Sequence, residues 1–142
     1  MKYVIDASIG MKWEIVEVDS DIACLLRDEY RQGIHELLAP DLFPTEVCNS
    51  LLMAERRKRI QPGDAILFFA DVMLTPPILY DAIPDLLPRA LVIASTINSS
   101  VYDAMYVALA EREGCELVTA DSKLVAKAQP HFPFVKPLSS FP

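Results

Sequence analysis

Four carboxylates stand where this chain could do chemistry: Asp6, Glu46, Asp103 and Asp121. Asp6 directly follows the apolar run Tyr3-Val4-Ile5, and Asp121 lies two residues beyond the run that ends at Thr119. Glu46 falls in the first turn of a helical pattern opened near Pro44, and Asp103 in the first turn of one opened by Ser100. Each acid also has a plain structural reading. Asp6 could make an Asx turn, Asp121 could cap a helix starting at Ser122, Glu46 sits favourably on a helix dipole, and Ser100 to Asp103 has the spacing of a capping box. Asp103 fits its plain role worst. Val101, Ala104, Met105, Tyr106, Val107, Ala108, Leu109 and Ala110 make its helix apolar on nearly every face, and no Lys or Arg lies within one turn. An ionised carboxylate buried there is costly unless it is paired or binds a metal.

The carboxyl ends of strands and the amino ends of helices share one edge of a parallel α/β layer, so the four acids are expected to converge. Converging carboxylates repel one another and hold raised pKa values unless a cation lies between them. Mg²⁺ or Mn²⁺, hard and oxygen-seeking, suits such a set. An ion held there with open positions could support metal-assisted hydrolysis of a phosphodiester without any histidine. The two histidines, His35 and His131, are far apart and outside any HExxH pattern, which leaves a zinc hydrolase with little support.

The elements that must position these acids alternate between strand and helix. Short strands are expected at Tyr3–Ile5, Glu36–Ala39, Ile78–Tyr80, Cys115–Thr119 and around Phe134 and Val135. After the first strand, Ala7 to Gly10 reads as a turn. Helices are expected from Asp19 or Ser20 to about Gln32, from about Pro44 into the basic run Arg56-Arg57-Lys58-Arg59, from Asp64 to about Leu74, from Pro84 or Pro88 to about Ile97, from Val101 to Glu113, and from Ser122 to Ala128. Gly33, Pro62-Gly63, Pro76-Pro77 and Gly114 punctuate them. This alternation implies right-handed crossovers and a mainly parallel sheet covered on both faces, a three-layer α/β/α domain.

At 142 residues the chain suits one domain, residues 1–142, and its 52% hydrophobic content is ample for a core. Thirteen basic against twenty acidic residues give a net charge of −7, which argues against nucleic-acid binding through bulk positive charge but not through a metal bridge. The longest apolar runs, such as Ala65 to Ala70, fall far short of the ~20 residues of a membrane span, and a cytoplasmic location is expected. Cys24, Cys48 and Cys115 are odd in number and widely spaced, and read as small buried hydrophobes.

The segments Tyr-Val-Ile-Asp-Ala-Ser at the start, Pro-Asp-Leu-Phe-Pro-Thr-Glu-Val-Cys-Asn-Ser-Leu from Pro40 to Leu51, Tyr-Asp-Ala-Met-Tyr from Tyr102, and Leu-Val-Thr-Ala-Asp ending at Asp121 together resemble the PIN domain. In particular they resemble the VapC-type toxins of prokaryotic toxin–antitoxin modules, over essentially the whole chain and with motif order and spacing kept. The resemblance implies a Mg²⁺- or Mn²⁺-dependent ribonuclease, a homodimer, and a cognate small antitoxin whose tail covers the active site. The family's four acidic positions fall on Asp6, Glu46, Asp103 and Asp121, and its supporting polar positions on Ser8, Asn49 and Thr119. Some members carry a further acid just after the last aspartate; Ser122 and Lys123 stand here, a departure that bears on a second metal position.

Other features carry two readings. Arg56, Arg57, Lys58 and Arg59 could hold RNA phosphates, Arg56 and Arg57 being the two singled out, or could form a basic last turn favoured by the helix dipole. The Asp64–Leu74 helix reads chiefly as core, with one flank available to a partner, and Trp13 as a packing residue. Competing functions are a non-catalytic RNA- or protein-binding relative with a dead site, and an aspartate-based phosphatase or phosphoacceptor. The phosphatase would place a second aspartate where Ser8 stands.

Overall fold

The computed structural model describes residues 1–141. Five short strands form one sheet: β1 (Lys2–Ile5), β2 (Glu36–Pro40), β3 (Ile78–Tyr80), β4 (Glu116–Thr119) and β5 (Val135–Pro137). Their order is β3-β2-β1-β4-β5 and every pairing is parallel, with Tyr3 opposite both Leu37 and Glu116. Parallel neighbours cannot be joined by a tight turn, so each connection crosses over through helices. These are α1 (Ala7–Glu14), α2 (Ser20–Arg31), α3 (Phe43–Arg56), α4 (Asp64–Val72), α5 (Leu86–Ile97), α6 (Val101–Glu113) and α7 (Ser122–Ala128). The result is the expected three-layer α/β/α arrangement.

Val4, Ile5, Leu37, Leu38 and Leu117 are fully buried, as strands covered on both faces require. The helix α6 lies across β1, β2 and β4 with α5 packed upon it, while α1 contacts α2, α3 and α4. From Ala104 to Ala110 every residue of α6 is buried, which explains its lack of a polar face. Gly10 lets α1 approach α3 closely: a Cβ there would meet Phe43 Cζ at 3.1 Å and Val47 Cγ2 at 3.2 Å.

Three expectations need correction. The segment from Ala7 to Gly10 is the first part of α1 rather than a turn. Its start is hard to see because the Asp6 side chain makes no capping bond; its oxygens are engaged elsewhere. Helix α4 is surface rather than core. Only Val72 is buried, while Ile66 and Leu67 are 71% and 66% exposed. The cysteines are free but not buried: Cys48 is exposed, and Cys24 and Cys115 are half-buried. Trp13 is a core residue, as expected, with its indole N–H donated to the Ala23 carbonyl at 3.0 Å. Among the described residues no helix is long and apolar enough to cross a membrane.

Candidate active site

The strand order reverses between β1 and β4, and in open α/β sheets the crevice at such a switch point is where ligands bind. Asp6 leaves β1 there and Asp121 follows β4 by two residues. Asp6 is only 7% exposed. The Ser8 hydroxyl donates to its Oδ1 and the Thr119 hydroxyl to its Oδ2. Each hydroxyl in turn accepts a backbone N–H at 3.0 Å, Ser8 from Ala120 and Thr119 from Asp121. The end of β4 is thereby tied to the carboxylate at the end of β1. Ser8 and Thr119, the positions that the resemblance marks as supporting, both hydrogen-bond Asp6.

Glu46 sits in the first turn of α3, where Pro44 occupies one of the first two positions and needs no N–H partner. The Tyr106 hydroxyl donates to Glu46 Oε1 at 2.6 Å. Sequence reasoning missed this contact. Its available signal was the three-residue step from Asp103 to Tyr106, which puts both on one face of α6. Asp103 itself stands in the first turn of α6, whose N-terminus is capped by Ser100 Oγ accepting the Asp103 N–H at 3.1 Å. Asp121 Oδ1 accepts the N–H groups of Lys123 at 3.0 Å and Leu124 at 3.1 Å. The capping readings of Ser100 and Asp121 are therefore correct, and they coexist with a shared location for the acids.

Electrostatics shows the convergence. Burial pushes the Asp6 carboxyl up to about 6; the Ser8 and Thr119 hydroxyls oppose this, and the charges of Asp103 and Asp121 add to it. Burial also raises Glu46, against the Tyr106 hydrogen bond and with repulsion from Asp103. Asp103 is raised by burial and by Asp121, against Ser100 and Lys127. The acids are thus linked in pairs, Asp6 with Asp103 and Asp121, Asp103 with Asp121, and Glu46 with Asp103. Among the described residues, however, no three His, Cys, Asp or Glu side chains stand together so that they could hold a metal ion. A hard donor set in which burial and mutual repulsion disfavour ionisation fits Mg²⁺ or Mn²⁺, ions that are often held by one or two carboxylates plus waters and substrate phosphate.

Beside this edge a cleft of about 440 Å³ runs from Ser8 and Ala120 past Lys12 and Asn49 to Arg57 and Arg59. Asn49, expected as a supporting residue, is exposed and lines it. Of the two arginines named from sequence, Arg57 lines this cleft and Arg56 does not.

Compared with known families, residues 3–129 match the PIN domain. The VapC9 ribonuclease of Mycobacterium tuberculosis is 34% identical over 128 residues, covering 84% of this chain and 94% of that protein. The VapC3 ribonuclease of Pyrobaculum aerophilum is 30% identical, covering 89% and 95%. Among solved structures, PAE2754 of Pyrobaculum aerophilum superposes with a TM-score of 0.73 at 23% identity, over 99% of this chain and 85% of that one. The sarcin-ricin-loop-cleaving toxin VapC20 of Mycobacterium tuberculosis gives 0.64 at 16%, over 95% and 99%. With its buried Asp6, its paired strand ends and its acids gathered at the sheet's switch point, the chain belongs to the PIN domain family, among the VapC ribonucleases.

Proposed function

We propose that this protein is a metal-dependent endoribonuclease, the toxin of a toxin–antitoxin pair, which hydrolyses RNA phosphodiester bonds at Asp6, Glu46, Asp103 and Asp121. The observation that most supports the reading is Asp6, buried at the carboxyl end of β1 beside the β1/β4 switch point, with its two oxygens held by Ser8 and Thr119 and its ionisation opposed by Asp103 and Asp121. Mg²⁺ or Mn²⁺, bound by carboxylates of this set, would activate water and neutralise charge on the phosphodiester. Ser8 and Thr119 fix the orientation of Asp6, and Tyr106 fixes that of Glu46. Asn49 adds a polar group on the cleft wall, and the exposed Arg56 and Arg57 hold phosphates of the bound strand. Buried walls at Thr119 and Tyr106 keep bulk water from the back of the site.

The partners that follow are an RNA strand, a cognate small antitoxin and a second copy of the chain. An apolar groove of about 500 Å³ between α3 and α4, lined by Leu52, Ile66 and Phe69, supports a surface that a protein partner covers.

The test is cleavage of single-stranded or loop RNA with and without metal. Cutting should require Mg²⁺ or Mn²⁺, stop with EDTA, and leave a 5′-phosphate and a 3′-hydroxyl; a cyclic phosphate end would mean that the RNA's own 2′-hydroxyl attacks. Asp103→Asn keeps the side chain's shape and removes its charge, so it should abolish cutting while the protein stays folded. A folded Asp103→Asn protein that cuts at the wild-type rate would sink the four-carboxylate site.

A further inference from the structure

The cleft beside the acids has a charge pattern opposite to theirs. Three cations line it, Lys12, Arg57 and Arg59, against one carboxylate, Glu17. Glu17 bridges two of them: Lys12 Nζ donates to its Oε1 at 3.1 Å and Arg59 Nη2 to its Oε2 at 2.7 Å. Lys12 also donates to the Val18 carbonyl at 2.7 Å, and its side chain is only 12% exposed. An ammonium so far withdrawn from water needs an anion in front of it, and Glu17 supplies that charge here.

The backbone aims these groups at the cleft. Lys12 lies one turn of α1 after Ser8, about 6 Å along the axis, and Ser8 holds Asp6. Arg59 is brought back over the end of α3 by Lys58, whose φ of 60° puts it in the left-handed region. That turn lets the Arg59 N–H reach the Ala54 carbonyl at 2.9 Å, the closure of a Schellman motif. Glu17, by contrast, sits on the short connection between α1 and α2, where Val16 and Val18 are 95% and 78% exposed. Its backbone is pinned to Ser20, its N–H to Ser20 Oγ at 2.9 Å and its carbonyl to the Ser20 N–H at 3.1 Å. Side-chain rotation alone would free the two cations.

We infer that Lys12, Arg57 and Arg59 form a phosphate subsite for a nucleotide flanking the scissile bond, and that Glu17 occupies this subsite in the free protein as an internal stand-in for the phosphodiester. A carboxylate and a phosphodiester both present two acceptor oxygens to such a pair of donors. The strand then runs from the acids along α1 toward the end of α3, and each entering phosphate group displaces the Glu17 carboxylate. This inference rests on the ribonuclease reading above.

The test is binding of a fluorescein-labelled single-stranded RNA by anisotropy, with Ca²⁺ in place of Mg²⁺, across a range of KCl concentrations. Glu17→Gln should bind about 10-fold more tightly than wild type, with a salt slope steeper by roughly 0.7 for each cation released. Arg59→Gln should weaken binding and make the slope shallower, and the double variant Glu17→Gln/Arg59→Gln should lose most of the gain. Circular dichroism melts confirm folding, and Glu17→Ala replaces Glu17→Gln should the latter unfold. A folded Glu17 variant that binds RNA no better than wild type overturns the subsite, while metal-dependent cleavage by wild type leaves the ribonuclease reading standing. Absence of both binding and cleavage in every variant overturns the two together.

Discussion

Tyr106 shows how a residue of an apolar helix can orient an acid of the proposed site, its hydroxyl donating to Glu46 Oε1. Its ring is buried and its hydroxyl is held above its usual pKa by burial and by Glu46, so it remains a donor at every working pH. Tyr106→Phe removes that single donor. Loss of an orienting partner of a metal-ligating carboxylate costs about 10–100-fold in metal affinity or activity. A metal titration of RNA cleavage should show this loss with little change in the melting temperature. The acids themselves were legible because each sits at a boundary that sequence marks: an apolar run ending at Asp6 or Thr119, a proline opening α3, a serine opening α6. Tyr106 was not legible, since an aromatic residue in an apolar helix looks like core until its hydroxyl partner is seen across 60 residues of chain. Arg56 and Arg57 could not be told apart either, because which of two adjacent residues faces a cleft depends on how the helix end is turned.

At the scale of elements, α1, α2 and α4 are tied by Glu14, Arg27 and Asp71. Arg27 Nη1 lies 3.3 Å from Glu14 Oε2 and 3.3 Å from Asp71 Oδ2, with its guanidinium 5.3 Å from the centre of the Trp13 ring. Burial pushes Glu14 up to about 7, helped by the adjacent Asp71 and opposed by Arg27. A carboxyl raised in the folded state stabilises the fold most when protonated. Its contribution is complete below the ordinary Glu value near 4.5 and is lost as pH rises to about 7. Glu14→Gln should therefore flatten the part of the stability–pH curve between about 5 and 7, which urea melts on both proteins will check. Lys58 supplies a second prediction. A non-glycine residue in the left-handed region costs about 1 kcal/mol, so Lys58→Gly should raise stability by roughly that amount. Equal urea midpoints for the two proteins would remove the strain argument. The elements most readily seen were those with caps and breakers, such as α2 before Gly33 and α6 before Gly114. Helix α1 was missed for want of a side-chain cap, and α4 was misplaced because hydrophobic content does not say which neighbour covers it.

For the whole molecule, apolar surface and charge are distributed separately. Ile66 and Leu67 on α4, Leu91 and Val92 on α5, and Ile83 before α5 are all exposed. Exposed apolar side chains on these helices are surface that a second copy could cover. Light scattering of the isolated protein is expected to give a dimeric mass, and a monodisperse monomer at all concentrations would refute the dimer. Of the thirteen Lys and Arg residues, Lys12, Arg57 and Arg59 line the cleft beside the acids, so RNA should be drawn to that edge of the molecule.

The sheet order has a consequence for synthesis. β1 is made well before one of its two neighbours, β4, whose Glu116 pairs with Tyr3. Ser8 and Thr119, whose hydroxyls hold the two oxygens of Asp6, are likewise 111 residues apart in the chain. At ~5–20 residues per second, roughly 6–23 s separate the emergence of Asp6 from that of β4. During that interval the growing chain has at most three of its four acids and no closed switch point, and so should be unable to cut the RNA around it. Ribosome-stalled chains ending before Glu116 should be inert toward RNA that the released protein cleaves, giving the cell a delay set by topology in which a partner can meet the chain before it is armed.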